Sequence, residues 1–271
     1  MNKGGSDLFK LVAIDIDGTL IDDDFKVSKR TVDKIRALRD RGVNVTLATG
    51  RTYRSAKQYA DILNIDDPII CYNGALVKDN SNGNIIYDAR LPLDISKKII
   101  GFGEKEKLDI KVYTDDTLYV EEDDERTREI CKNHKIDYKV IGKLSENIEK
   151  GAQMIILIED EERIREIRKK IDSMDIKNVS YTMSTPRSLE FGAPGVNKGN
   201  ALKVLADKYG IESKEILAIG NSLNDLGMFK YAGTGIAMKN SDRILLEEWD
   251  KVSKYDNNEE GVFHILDKYF D

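Results

Sequence analysis

Cysteine and histidine are both scarce in this chain, which holds two of each: Cys71 and Cys131, His134 and His264. Two cysteines exclude a disulfide-dense scaffold and read as ordinary reduced thiols. Cys71 falls in an apolar run and is expected in a core, not as a nucleophile. Both histidines lie far in sequence from every motif described below, so surface or packing roles are expected of them. Long apolar runs are also lacking. The first is cut by Asp15, and the polar stretch 1–6 ahead of it reads as loose, so neither a signal peptide nor a membrane span is expected. Nor is there a basic surplus: the formal net charge is -6 with both signs interspersed, which argues against a nucleic-acid footprint. Internal repeats and low-complexity segments are absent. What remains is ordinary for a soluble protein, with 40% hydrophobic and 34% charged residues over 271 positions, enough for one large core or two modest ones. A cytoplasmic enzyme is the expectation.

The most informative stretch is Asp15, Ile16, Asp17, Gly18, Thr19 and Leu20, which closes the apolar run Leu11, Val12, Ala13, Ile14. A short apolar run ended by two carboxylates and a glycine reads as a buried parallel strand that delivers acidic groups to the carboxyl edge of a sheet. Residues two apart on an extended chain point the same way, so Asp15 and Asp17 can share one site. Crowded carboxylates repel, and hard oxygen ligands beside a substrate phosphate suit Mg²⁺. Gly18 permits a sharp turn or a close approach to a ligand.

Three further runs end in small or polar residues. Asn44 to Ala48 leads into Thr49, Gly50 and Arg51; Pro68 to Tyr72 leads into Asn73 and Gly74; Glu215 to Ile219 leads into Gly220, Asn221, Ser222, Leu223, Asn224 and Asp225. In a parallel sheet these ends share one edge, which gathers a hydroxyl, an arginine, amides and another carboxylate around Asp15 and Asp17.

The early chain alternates strand and helix. A helix is expected over 28–41 with Ser28 as its N-cap, and another over 52–63. A hairpin tip is expected at 79–84. Over 89–188 the alternation gives way to helices at 93–107, 123–133 and 160–173 and to short strands at 110–113, 118–121, 154–158 and 179–183. This reads as a separate α/β unit inserted into the first, with accessible junctions near Asn82 and Pro186. The acidic run 121–125 reads as a solvated turn and helix start. The strand and helix rhythm returns at Leu189, Glu190 and Phe191, so one parallel core is built from both ends of the chain. The expected division is therefore core over 1–88, inserted unit over 89–188 and core again over 189–271.

Taken together, the Asp15–Thr19 signature, the threonine motif at Thr49, the lysine motif around Lys198 and the acidic motif at 220–225 resemble the haloacid dehalogenase superfamily. Within it the chain is similar to Cof-type phosphatases with a large inserted cap. That resemblance implies an α/β fold with a Rossmann-like parallel-sheet core and an inserted α/β cap domain. It implies a phosphoric monoester hydrolase in which Asp15 attacks phosphorus and Asp17 serves as acid and base, its carbonyl also binding metal. Thr49, Gly50, Lys198 and Asn224 would hold the phosphoryl group, and Asp15, Asp17, Asn221 and Asp225 would hold Mg²⁺. Arg51, Asn73 and Gly74 are candidates for the substrate pocket, with Arg51 either touching substrate or supporting its loop. The partner implied is a small phosphate ester, a sugar phosphate or a phosphorylated cofactor, with neither nucleic acid nor membrane involved.

One departure stands out. The family's acidic motif commonly reads GDxxND, and here Asn221 takes the place of a carboxylate that normally ligates the metal. It motivates one rival reading, a weakly active phosphate-ligand binding or regulatory protein. A phosphomutase of the same superfamily is the nearer alternative.

Overall fold

The computed structural model describes residues 8–174 and 176–271; the polar stretch 1–6 lies outside them. Its main sheet has the order Thr234–Ala237, Ile216–Gly220, Leu11–Ile14, Asn44–Leu47, all parallel. A parallel bridge from Ala48 to Ile70 joins Ile69–Cys71 to it. That strand then opens an antiparallel ribbon with Leu76–Lys78 and Ile85–Asp88.

Period-two alternation puts the central strand's side chains on two faces. Val12 and Ile14 pack with Ile35 and Leu38 of helix Lys29–Asp40, Ala56 and Tyr59 of Tyr53–Leu63, and Ile265 of Gly261–Phe270. Leu11 and Ala13 pack with Ala201 and Leu202 of Lys198–Tyr209 and with Phe229 of Leu226–Tyr231. Local chemistry starts three of these helices. Ser28, Thr52 and Asn197 each accept the backbone N–H three residues on, satisfying a donor the first turn leaves free.

The inserted sheet has six strands in the order Ser180–Thr182, Ser188–Gly192, Met154–Ile158, Asp109–Thr114, Thr117–Val120, Asp137–Val140. Its pairs are antiparallel except the last. One face (Val112, Ile155, Leu157, Leu189, Phe191) packs with helices Leu93–Lys105 and Glu161–Ser173. The other turns toward the main sheet. The sequence puts Leu189, Glu190 and Phe191 in the core, and the pairing corrects this: Leu189 faces Leu157 and Phe191 faces Ile155 in the inserted sheet. The junctions move with it, since Asn82 lies at the ribbon's tip and Pro186 between two strands of the inserted sheet. Strand Asp137–Val140 and helices Leu144–Asn147 and Arg243–Glu248 have no counterpart in the sequence reading.

The inserted unit also rests on the core through the turn before Thr117–Val120. Asp116 Oδ1 accepts from the Tyr72 hydroxyl at 3.2 Å and from the Arg54 N–H at 3.0 Å, inside the first turn of Tyr53–Leu63. Arg54 also pairs with Asp137.

Candidate active site

Asp15 leaves the end of Leu11–Ile14, 5% exposed. Lys198 Nζ donates to Asp15 Oδ1 and to Asp225 Oδ1, both at 2.6 Å, and the lysine is 0% exposed. Burial pushes the Asp15 carboxyl up to about 7, with Lys198 pulling the other way and the charges of Asp225 and Asp17 adding to the rise. Burial also opposes the Lys198 ammonium, but the two carboxylates outweigh it and hold the lysine charged. Asp225 Oδ2 accepts the N–H groups of Asn221 at 2.8 Å and Ser222 at 3.0 Å. A Cβ at Gly220 would come within 2.4 Å of that carboxyl, so the turn closes this tightly only on glycine. Asp225, expected as a metal ligand, holds Lys198 with Oδ1 and the 220–225 turn with Oδ2. Lys198, expected as a phosphate contact, bridges the carboxylates of Asp15 and Asp225.

Asp17 is turned outward, with 51% of its side chain exposed to the cavity. Arg51 grips it with two parallel bonds, Nη2 to Oδ1 at 2.6 Å and Nε to Oδ2 at 2.8 Å. Burial alone would raise the Asp17 carboxyl, but these bonds and the guanidinium charge outweigh it and hold it below the usual carboxylate range. Arg51 Nη1 also donates to Ser55 Oγ at 3.1 Å, and the guanidinium lies over the Tyr59 ring. In this structure its bonds thus go to Asp17 and Ser55.

Asn221 meets these groups from the end of Ile216–Gly220. One end of its amide lies 2.9 Å from the Asp17 carbonyl oxygen, 3.1 Å from Thr19 Oγ1 and 3.3 Å from Asp15 Oδ2. With nitrogen there, the amide's two N–H groups are shared among the three acceptors. With oxygen there, the amide, carbonyl and carboxylate oxygens converge, an arrangement that a cation reconciles. Adjacent ligands of octahedral Mg²⁺ at about 2.1 Å would sit about 3 Å apart, close to the spacing of this all-oxygen set. The residues present therefore fit Mg²⁺. Gly18 makes the approach possible: its φ is 68°, and a Cβ there would lie 2.5 Å from the Asn221 amide.

These groups form the floor of a cavity of about 440 Å³. Thr49, Gly50, Arg51 and Asn224 border it from the core, as do Asp15, Asp17 and Asn221. Asn73 and Gly74 do not border it; Asn73 reaches Glu190 and Asn224, which do, and Gly74 packs against the start of helix Lys198–Tyr209. Asn224, expected as a phosphoryl contact, donates one N–H to Asn73 Oδ1 at 3.0 Å, and its own Oδ1 is buried without a partner. The opposite wall comes from the inserted unit, with Tyr113, Met154, Ile156, Ser184, Thr185 and Glu190.

His134, expected at the surface or in packing, borders the same cavity at the end of Glu125–His134. Burial and the Arg51 charge push its imidazole down to about 4, against a pull from Asp17. Glu190 was missed as a site residue. Its signal was present: Leu189 and Phe191 alternate with it, so once they point to a core it must face the other way.

Known proteins resemble this chain over nearly its whole length. Residues 12–266 match a family described as haloacid dehalogenase-like hydrolase. A 5-amino-6-(5-phospho-D-ribitylamino)uracil phosphatase of Bacillus subtilis is 30% identical over 266 residues, covering 96% of this chain and 97% of its own. A crystal structure from Thermotoga maritima is 30% identical with a TM-score of 0.78, covering 96% of this chain and 97% of that one. A haloacid dehalogenase-like hydrolase from Bacteroides thetaiotaomicron, 23% identical, shares the fold at a TM-score of 0.83 over 97% of this chain and 100% of its own. With a parallel α/β core, an inserted sheet above its carboxyl edge and a match over nearly its whole length, the chain belongs to the haloacid dehalogenase-like hydrolase family.

Proposed function

We propose that the protein is a Mg²⁺-dependent phosphatase that hydrolyses a small phosphorylated metabolite through an aspartyl-phosphate intermediate. The observation that carries this reading is the divided use of one carboxylate. Asp15 Oδ1 is pinned by Lys198, while Oδ2 faces the Asn221 amide on the floor of the cavity. A nucleophile so held presents one aim to a phosphorus atom above it.

In this reading Asp15 attacks phosphorus, and Asp17 protonates the departing oxygen and then takes a proton from the water that cleaves the acyl phosphate. Arg51 keeps Asp17 ionised and aimed, the state required for the water step; the phosphate's own negative charge favours a proton on Asp17 in the first. Thr49 and Gly50 border the phosphoryl position. A bound Mg²⁺, held by Asp15, the Asp17 carbonyl and Asn221, supplies positive charge against the phosphoryl oxygens. Residues 89–192 act as a cap that excludes water and surrounds the leaving group. A relative named for phosphatase activity supports the reaction class, and a sugar phosphate or a phosphorylated cofactor is the substrate class we propose. The buried free thiols Cys71 and Cys131 agree with a cytoplasmic setting, and no helix among the described residues is long and apolar enough to cross a membrane.

The test is phosphate release from a panel of phosphate esters across a Mg²⁺ titration. Release that needs Mg²⁺ and stops with EDTA is expected. Transfer within a sugar bisphosphate with little net release would show a mutase, and binding without either would show a ligand-binding protein.

The same titration tests the unusual amide. Asn221→Asp is expected to bind Mg²⁺ about tenfold more tightly, because carboxylate count is a main determinant of affinity for hard cations. Without metal the variant should melt lower than the wild type, since the new charge would lie about 3 Å from Asp15 Oδ2 and the Asp17 carbonyl. Calorimetric titration and melting with and without Mg²⁺ check both. Equal affinities would show that the amide is already a sufficient ligand or none at all.

A further inference from the structure

The inserted sheet sends one acid into the cavity. Glu190 is 5% exposed, and its Oε1 accepts from Ser184 Oγ and, at 3.4 Å, from Ser188 Oγ. Its Oε2 accepts from Asn73 Nδ2. An ionised carboxylate has about four acceptor positions, so Oε2 has room for one more donor.

The polarity of the neighbouring amides follows from this acid. Because a carboxylate only accepts, the Asn73 nitrogen must face it and the Asn73 oxygen must face away. That oxygen receives the Asn224 nitrogen at 3.0 Å, which leaves Asn224 Oδ1 as the free end of the relay, buried and without a partner. Asn224 is 8% exposed. Both ends of the relay belong to residues that border the cavity, and both are acceptors short of a donor.

Positive charge is missing from the same space. Arg51 borders the cavity, but its guanidinium is engaged by Asp17 and Ser55. Lys198 stands behind Asp15 between two carboxylates. No other arginine or lysine borders the cavity among the described residues. The part of the cavity away from Asp15 therefore presents one carboxylate with no lysine or arginine free to balance it, among the neutral donors of Tyr113, Ser184, Thr185 and His134.

Resting on the phosphatase reading above, we propose that Glu190 fixes the substrate class: phosphate monoesters whose leaving group is neutral or cationic and carries hydroxyl or N–H donors. Esters with a second anionic group are turned away, because that group would meet a buried carboxylate with no cation to receive it. A donor on the leaving group satisfies Glu190 Oε2 directly, whereas a carboxylate or second phosphate leaves it facing a like charge.

Matched esters test this. Glycerol 3-phosphate and 3-phosphoglycerate differ only in a hydroxymethyl against a carboxylate, as do sorbitol 6-phosphate and 6-phosphogluconate. The wild-type protein with Mg²⁺ is expected to favour the neutral member of each pair by about tenfold or more in kcat/KM. Glu190→Gln keeps the shape and removes the charge, and it should bring the two members within about threefold of each other, chiefly by improving the anionic one. A purely structural strut between the two sheets would lower both members alike and leave the ratio where it was. An unchanged ratio in the variant, or no preference in the wild type, overturns the proposal. The wild-type ratio decides alone if the variant does not fold. If none of the four esters is turned over, the phosphatase reading fails separately, and calorimetric binding of the same esters decides the selectivity: tighter binding of the neutral members supports it, and equal, reversed or absent binding overturns it.

Discussion

Phosphate release by Asp15→Asn is expected to fall at least about 10³-fold, because an amide keeps the shape of the carboxylate and is a very poor nucleophile. The fold should survive. Asp15 is buried, and its carboxyl is raised to about 7, so ionising it in the folded protein has a cost that asparagine does not carry. In the metal-free wild type, the folded state binds this proton more tightly than the unfolded state, whose carboxyl titrates near 4. The associated stability is present below the unfolded value and is lost as pH rises through about 7. The melting temperature of Asp15→Asn should therefore gain on the metal-free wild type between pH 5 and pH 8. Calorimetry at the two pH values and a phosphate assay check the two halves. Turnover near that of the wild type would remove Asp15 from the role of nucleophile.

Lys198→Met is expected to be the most destabilising single change in the core of the site. It leaves Asp15 and Asp225 buried together without the ammonium that both now contact at 2.6 Å. Removing one partner from such a group costs about 3–5 kcal/mol, which for a chain of this size corresponds to a fall of about 10 °C in melting temperature. The sign with pH is opposite to an ordinary acid-labile salt bridge. At about pH 5 one of the two crowded carboxyls takes a proton and the repulsion is relieved, so the deficit should be smaller there than at pH 8. Activity should be lost at either pH, since Asp15 is no longer aimed. A deficit that grows as pH falls would show that the lysine is not what balances the two carboxylates.

Some of this site is written in local chain pattern and some is not. Asp15, Thr49 and Asn221 follow short apolar runs, and a parallel sheet carries all such run-ends to one edge, so reading strands already brings them together. Lys198 follows a helix N-cap, Asn197, and its place is local too. What the pattern does not contain is where each carboxyl oxygen turns. The sequence does not show, for instance, that the tight turn at Leu223–Asp225 folds Asp225 Oδ2 back onto two N–H groups of the same loop. Glu190 and His134 depend on how the inserted sheet lies over the core, which no window of sequence specifies. Leu189 and Phe191 alternate as well for one sheet as for the other, hence their assignment to the wrong one. Strand Asp137–Val140 is an exposed edge with polar residues, so burial leaves no mark on its sequence.

The central strand Leu11–Ile14 lies between Asn44–Leu47, its near neighbour in the chain, and Ile216–Gly220, about 200 residues later. A ribosome adding about 5–20 residues per second separates the two neighbours by roughly 10–40 s. For that interval the nascent chain carries Val12 and Ile14 on a strand with one flank unpaired, a surface that chaperones bind and other chains can join. The strands of the inserted sheet come from one continuous stretch and can pair meanwhile. Asn221 and Asp225 arrive only with the last neighbour, so a growing chain has neither the amide that completes the oxygen cluster nor the acid that holds Lys198. Catalytic competence thus comes late in synthesis, when the closing strand is inserted, and an incomplete chain is chemically silent.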